Sequence, residues 1–178
     1  MPAIIFIVSA LQFLVVTTFL LRVLLPLARA DSRNQLSQAV IRLTNPLVLP
    51  LRRVLPPIGK VDTASIVALL LVQAAASTTL WLLGAYGPAH GADAFARIVV
   101  FSLIRNILMF YTYALLLYVL LSWVAPGTYS PASALLDSLC EPVLRPVRRL
   151  IPPIAGIDFS AMFLIIGLQA LNIALSTF

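Results

Sequence analysis

Two stretches decide the fold: NPLVLPLRRVLPPIGKVD, from Asn45 to Asp62, and EPVLRPVRRLIPPIAGID, from Glu141 to Asp158. At an offset of 96 residues, with no gap, the pairs Pro46/Pro142, Pro50/Pro146, Arg52/Arg148, Arg53/Arg149, Pro56/Pro152, Pro57/Pro153, Ile58/Ile154 and Asp62/Asp158 are identical. Farther on, Gln73 and Gln169 match at the same offset. Chance rarely places two P-x-x-x-P-x-R-R-x-x-P-P-I strings in a chain of 178 residues. The chain reads as an internal repeat.

Apolar sequence flanks each string. Residues 2–21, 63–92, 106–136 and 159–178 contain no Asp, Glu, Lys or Arg. A membrane-crossing helix needs about 20 mostly apolar residues, so helices are expected near Ala3–Leu25, Thr63–Leu83, Asn106–Ala125 and Phe159–Thr177. Composition agrees: 61% of residues are hydrophobic, 10% are charged and the mean hydropathy is +1.04. A soluble domain carries about 25% charged residues and could not hide this much apolar surface. The first apolar run lacks a basic segment before it and is longer than a signal-peptide core, so it is expected to remain as a span.

The expected fold is an all-α membrane protein with four transmembrane helices in two parallel-topology repeats, each with a short amphipathic interfacial helix. Repeat 1 covers residues 1–83, an outer connection covers 84–105, and repeat 2 covers 106–178. Each copy holds two spans, so each begins and ends on one side of the bilayer. The copies are then related by an axis along the membrane normal, unlike the inverted repeats common in alternating-access transporters.

Basic residues set the orientation. Residues 26–62 hold Arg29, Arg33, Arg42, Arg52, Arg53 and Lys60, and residues 126–157 hold Arg145, Arg148 and Arg149. Residues 84–105 hold only Arg97 and Arg105. Basic loops stay cytoplasmic, which predicts both termini outside a multi-pass protein of the bacterial inner membrane. The net charge of +6 lies mainly in two short stretches between apolar helices. Anionic phospholipid therefore fits as the partner and nucleic acid does not.

On a helical wheel with Leu51 at the origin, Leu47, Val54, Leu55 and Ile58 fall within about 60° of it, and Arg52 and Arg53 fall near 100° and 200°. In the second string Val147, Leu150, Ile151 and Ile154 oppose Arg145, Arg148 and Arg149. Such a helix lies in the interface with its apolar face down. Pro46 and Pro142 are expected at the first helical position, with Asn45 as a good cap and Glu141 as a poorer one. Pro50 and Pro146 should bend the element, and the pairs Pro56-Pro57 and Pro152-Pro153 should end it. Asp62 and Asp158 should cap the next span or pair with an arginine of their own segment.

Catalytic signals are missing. No nucleophile elbow, phosphate loop, dinucleotide fingerprint or zinc-protease string is present, and no cofactor is implied. Cys140 is the single cysteine and His90 the single histidine, too few for an intramolecular disulfide or a zinc site. No Asp, Glu or His lies in the middle of a span, where such residues mark ion pathways. Arg22 and Arg105 lie near span ends and can snorkel. Gln73 and Gln169 lie inside spans, where they can bond between helices or line a polar path. Ala64-x-x-x-Ala68 and Ala170-x-x-x-Ala174 permit close helix approach.

The second string, with Leu120-Leu121-Ser122-Trp123 before it and Gly156-Ile157-Asp158-Phe159-Ser160 at its end, resembles the YggT family of small bacterial and plastid membrane proteins. The first string is more degenerate. Arg22 matches the family's arginine, Pro26-Leu27 replaces Ser-Trp, and Asp62-Thr63-Ala64 replaces Asp-Phe-Ser. Tyr118 stands where the second copy's arginine would be. The resemblance covers nearly the whole chain. It implies an integral membrane protein with no established catalytic residues, in a family associated with osmotic tolerance, cell-division gene neighbourhoods and assembly of haem-containing complexes.

Two functional expectations follow. The first is a non-enzymatic membrane scaffold or assembly factor. Arg52, Arg53, Arg145, Arg148 and Arg149 would bind lipid or partners, and Pro56, Pro57, Asp62, Pro152, Pro153 and Asp158 would shape the elbows. Its macromolecular partners would be other membrane proteins or a second copy of the chain. The alternative is a channel or transporter for osmotic or ion balance, using Gln73 and Gln169.

Overall fold

A computed structural model describes residues 2–57, 62–86, 91–124, 130–150 and 159–175. These residues form six α-helices and no strand: α1 (Pro2–Leu27), α2 (Gln35–Val54), α3 (Thr63–Leu82), α4 (Ala92–Val124), α5 (Pro131–Leu150) and α6 (Ser160–Leu175). Of these, α1, α3 and α4 are long and apolar enough to cross a membrane. The described part of α6 is apolar and uncharged but has 16 residues, about 24 Å at 1.5 Å per residue, against a hydrocarbon core of about 30 Å.

Helix α4 corrects the sequence expectation. It starts at Ala92 and runs for 33 residues, absorbing most of the segment read as an outer connection. The uncharged run begins at Asn106, but Arg97 and Arg105 are good helix formers, and Arg97 pairs with Asp93 one turn earlier at 3.1 Å. Absence of charge marks where a helix meets lipid, not where it begins.

The amphipathic segments also differ from expectation. Helices α2 and α5 are 20 residues each, and their bounds coincide at the repeat offset of 96. Pro46, Pro50, Pro142 and Pro146 lie inside them rather than at their starts. Asn45 and Glu141 are therefore not caps. The caps are Asn34, whose Oδ1 accepts from the Leu36 amide at 2.9 Å, and Ser130, whose Oγ accepts from the Ser133 amide at 3.0 Å. Ser133 reciprocates, its Oγ accepting from the Ser130 amide, as in a capping box. Pro131 takes the first helical position, where its missing amide hydrogen costs nothing. Pro46 and Pro50 are tolerated because both are exposed, as is Arg42.

Two helix ends turn by one device. At α3, Gly84 has φ 76°, its amide donates to the Trp81 carbonyl, and the Ala85 amide donates to that of Leu80, a Schellman end. At α1 the same bonds run from Arg29 to Pro26 and from Ala30 to Leu25. There the left-handed residue is Arg29, at φ 53°, where glycine is the unstrained choice.

The chain divides into two compact units, Met1–Val23 with Val40–Ile107, and Leu24–Ala39 with Leu108–Phe178. In the first unit Val48, Ala64 and Ala68 are fully buried, with Phe19, Leu47 and Leu51 packed against them. The Ala64-x-x-x-Ala68 pair thus lets α3 approach α1 and α2 closely. In the second unit α5 packs on α6, and Leu135, Leu139, Cys140 and Leu144 are buried along one stripe of α5. The long helices bury few residues within the chain. On α1 the side chains of Phe6, Ile7, Leu11 and Leu14 are all exposed. Helices whose apolar side chains are left outside need lipid as solvent, and the chain is a membrane protein.

Candidate functional site

In the first unit the basic elbow between α2 and α3 is tied by side chains. Arg52 pairs with Asp62 through Nη2 and Oδ2. Ser65 donates its hydroxyl to the same oxygen at 2.7 Å, and Thr63 donates to the Pro56 carbonyl at 2.8 Å. Asp62 precedes α3 without capping it through its side chain; it pairs with an arginine of its own segment instead. Burial pushes its carboxyl up, but the bonds from Ser65 and Arg52 outweigh that and hold it below the usual carboxylate range.

Beside this pair lies Arg22, on the last two turns of α1. Only 8% of it is exposed, and its Nη1 is enclosed without a hydrogen-bond partner, as is Asp62 Oδ1. The charges acting on Arg22 are those of Arg52 and Asp62. The sequence reading let Arg22 snorkel; the structure encloses it. Arg53 is exposed on the outer side of α2, and Pro56 and Pro57 are exposed after its end.

The second unit solves its charges differently. Glu141, set aside in the sequence as a poor cap, is an ion-pair hub on α5. Its Oε2 meets Arg148 Nη1 at 2.7 Å, and its Oε1 meets Arg145 Nε at 3.6 Å. Arg148 also donates through Nη2 to the Tyr118 hydroxyl at 3.1 Å. Tyr118 is the residue that stands at Arg22's place in the repeat. Arg149 is exposed at the end of α5. Leu27, Ala28, Arg29, Tyr118, Asp137, Ser138, Glu141, Pro142 and Arg145 line a groove of about 630 Å³ of mixed polar and apolar character. Pro152, Pro153 and Asp158 lie outside the described residues. Cys140 is buried, and burial, with the nearby Asp137 charge, pushes its thiol up to about 12. That leaves it protonated and unreactive.

The glutamine pair separates in the structure. Gln73 is buried, and both ends of its amide are used. Asn106 Nδ2 donates to its Oε1 at 2.9 Å, and its Nε2 donates to Ser77 Oγ at 3.2 Å. This network joins α3 to α4 inside the first unit. Gln169 is exposed on α6. Ser77 and Asn106 were not singled out as partners in the sequence, although uncharged polar residues within apolar runs are the signal for such bonds. Replacing Gln73 with Leu is expected to lower stability by about 1 kcal/mol, because Asn106 and Ser77 lose a partner while apolar packing is kept. Thermal unfolding in detergent measures this.

Among the described residues no group of three His, Cys, Asp or Glu could hold a metal ion. Among the described residues, the arrangement offers guanidinium donors near the ends of α2 and α5. The chain is 37% identical to an uncharacterized protein of Pseudomonas aeruginosa, over 96% of this chain and 86% of that one. It is 35% identical to an uncharacterized protein of Vibrio alginolyticus, over 94% and 90% of the two chains. It is 33% identical to the Escherichia coli K12 protein named "Uncharacterized protein YggT", over 96% and 88%. No solved structure matches it. A family model, CCB3/YggT, matches residues 1–83 and again 98–178, one match for each copy of the basic string, and the chain belongs to the CCB3/YggT family.

Proposed function

We propose that this protein is a non-enzymatic scaffold or assembly factor of the bacterial cytoplasmic membrane. It would have four spans in two parallel repeats, with both termini outside. The observation that carries the reading is the pair α2 and α5. Each copy of the repeat supplies a 20-residue basic helix with a buried stripe, through Thr44 and Val48 in one and Cys140 and Leu144 in the other. Arg53, Arg145 and Arg149 stay exposed. Exposed guanidinium groups beside apolar spans suit anionic headgroups and acidic patches on partner membrane proteins. The relatives named above are bacterial, which supports the choice of membrane. The closed Gln73–Asn106–Ser77 network supports a sealed interior over an aqueous path.

The test changes Arg52, Arg53, Arg148 and Arg149 together to Gln. Each basic residue near an anionic surface contributes about 1 kcal/mol, so retention of anionic lipid in nanodiscs should fall steeply while insertion stays intact. Unchanged lipid selectivity would end the electrostatic role. A C-terminal reporter active only in the cytoplasm would end the four-span topology. The permeation reading keeps one supporting observation, the exposed Gln169 on an apolar helix, and ion flux in reconstituted vesicles that Gln169→Leu abolishes would put it first.

A further inference from the structure

We propose that Arg22, with the Arg52–Asp62 pair, forms a discrete site for the phosphate of one phospholipid whose headgroup also carries a hydrogen-bond donor. The proposal rests on the membrane reading, but not on the scaffold role. A guanidinium has five N–H donors, and enclosing one unpaired is costly. Arg22 is more than nine-tenths buried, and its Nη1 has no partner. Asp62 does not neutralise it, because that carboxylate is already held by Arg52 and Ser65. Two guanidinium groups around one carboxylate leave a positive charge uncompensated. The N-terminus of α3, which starts at Thr63, adds a further positive field. An anion with several acceptor oxygens answers all three features.

Depth and the second orphan narrow the ligand. Arg22 lies near the end of an apolar helix long enough to cross a membrane, beside the basic elbow. Asp62 Oδ1 is a buried acceptor without a donor. An ethanolamine ammonium or a glycerol hydroxyl next to the phosphate supplies one, and choline has none to give. The second copy carries different residues at two of these positions. There Tyr118 replaces Arg22 and Glu141 replaces Asn45, one cation lost and one anion gained. Arg148 is bound there by Glu141 and Tyr118.

Native mass spectrometry of the detergent-solubilised chain, titrated with phosphatidylethanolamine, phosphatidylglycerol or phosphatidylcholine, tests this. One molecule of either of the first two should remain bound, with phosphatidylcholine weaker. Arg22→Gln should weaken binding at least about tenfold, as loss of a charge-assisted contact does. Should that variant fold poorly, Arg22→Tyr with Asn45→Glu installs the second copy's own solution and should fold while losing the lipid. Arg53→Gln with Arg149→Gln removes exposed arginines that the scaffold reading needs and this site does not, so it should leave the bound lipid in place. A thermal shift with inorganic phosphate alone, abolished by Arg22→Gln, would assign the phosphate to a soluble source. Equal retention by wild type and both Arg22 variants, or no preference over phosphatidylcholine, overturns the proposal.

Discussion

Replacing Ala68 with Leu should destabilise the first unit by about 1–3 kcal/mol, since overpacking a tight contact forces side chains off their rotamers and shifts backbone. Ala64 and Ala68 are completely buried against Val48, with Phe19, Leu47 and Leu51 around them. Three added carbons at Ala68 have nowhere to go unless α3 moves away from its neighbours. The equivalent change at Ala170 is the control. Ala170 belongs to a small-x-x-x-small pair of the same spacing but is exposed on α6, so leucine there should stay within about 0.5 kcal/mol. Thermal unfolding of both variants, followed by tryptophan fluorescence in one detergent, reads the difference. Equal losses would mean that the two alanine pairs are equivalent contacts.

Asp62→Asn should cost about 1–2 kcal/mol, because it removes the carboxylate that pairs with Arg52 and weakens the bond from Ser65. The lower part of the range for a broken ion pair applies because 41% of the Arg52 side chain is exposed. The pH dependence has a definite sign. Asp62 is held below its ordinary value of 3.8. Its stabilising contribution is therefore complete above that value and is lost as pH falls through the lowered one. Between neutral pH and about pH 5 this residue contributes no change, and the loss begins only in stronger acid. The Asn variant should lack that acid limb and start from a lower plateau. A wild-type midpoint that falls between pH 7 and 5 in a way Asp62→Asn removes would contradict the assignment.

The two elbows show how equal strings reach unequal sites. Arg52 and Arg148 occupy one repeat position, yet Arg52 turns to Asp62 and Arg148 to Glu141 and Tyr118. The copies do not match at Arg22 against Tyr118 or at Asn45 against Glu141.

Membrane residence, the apolar helices, the repeat and the basic character of α2 and α5 were determined by the sequence alone. Each depends on a sum or a period along the chain: about 20 uncharged residues fill a bilayer, and a 3.6-residue period sorts arginine from leucine. The starts of α2, α4 and α5 were not determined that way. Asn45 looked like a cap, but Asn34 and Ser130 cap α2 and α5, and exposed prolines stay inside both helices. Nor could periodicity separate Ala68 from Ala170, or Gln73 from Gln169. Those pairs share residue type and spacing, and they differ only in whether another helix covers them. The burial of Arg22 belongs to the same class, since the identity of the charges around a side chain is set by segments far away in sequence, and only the tertiary structure brings them together.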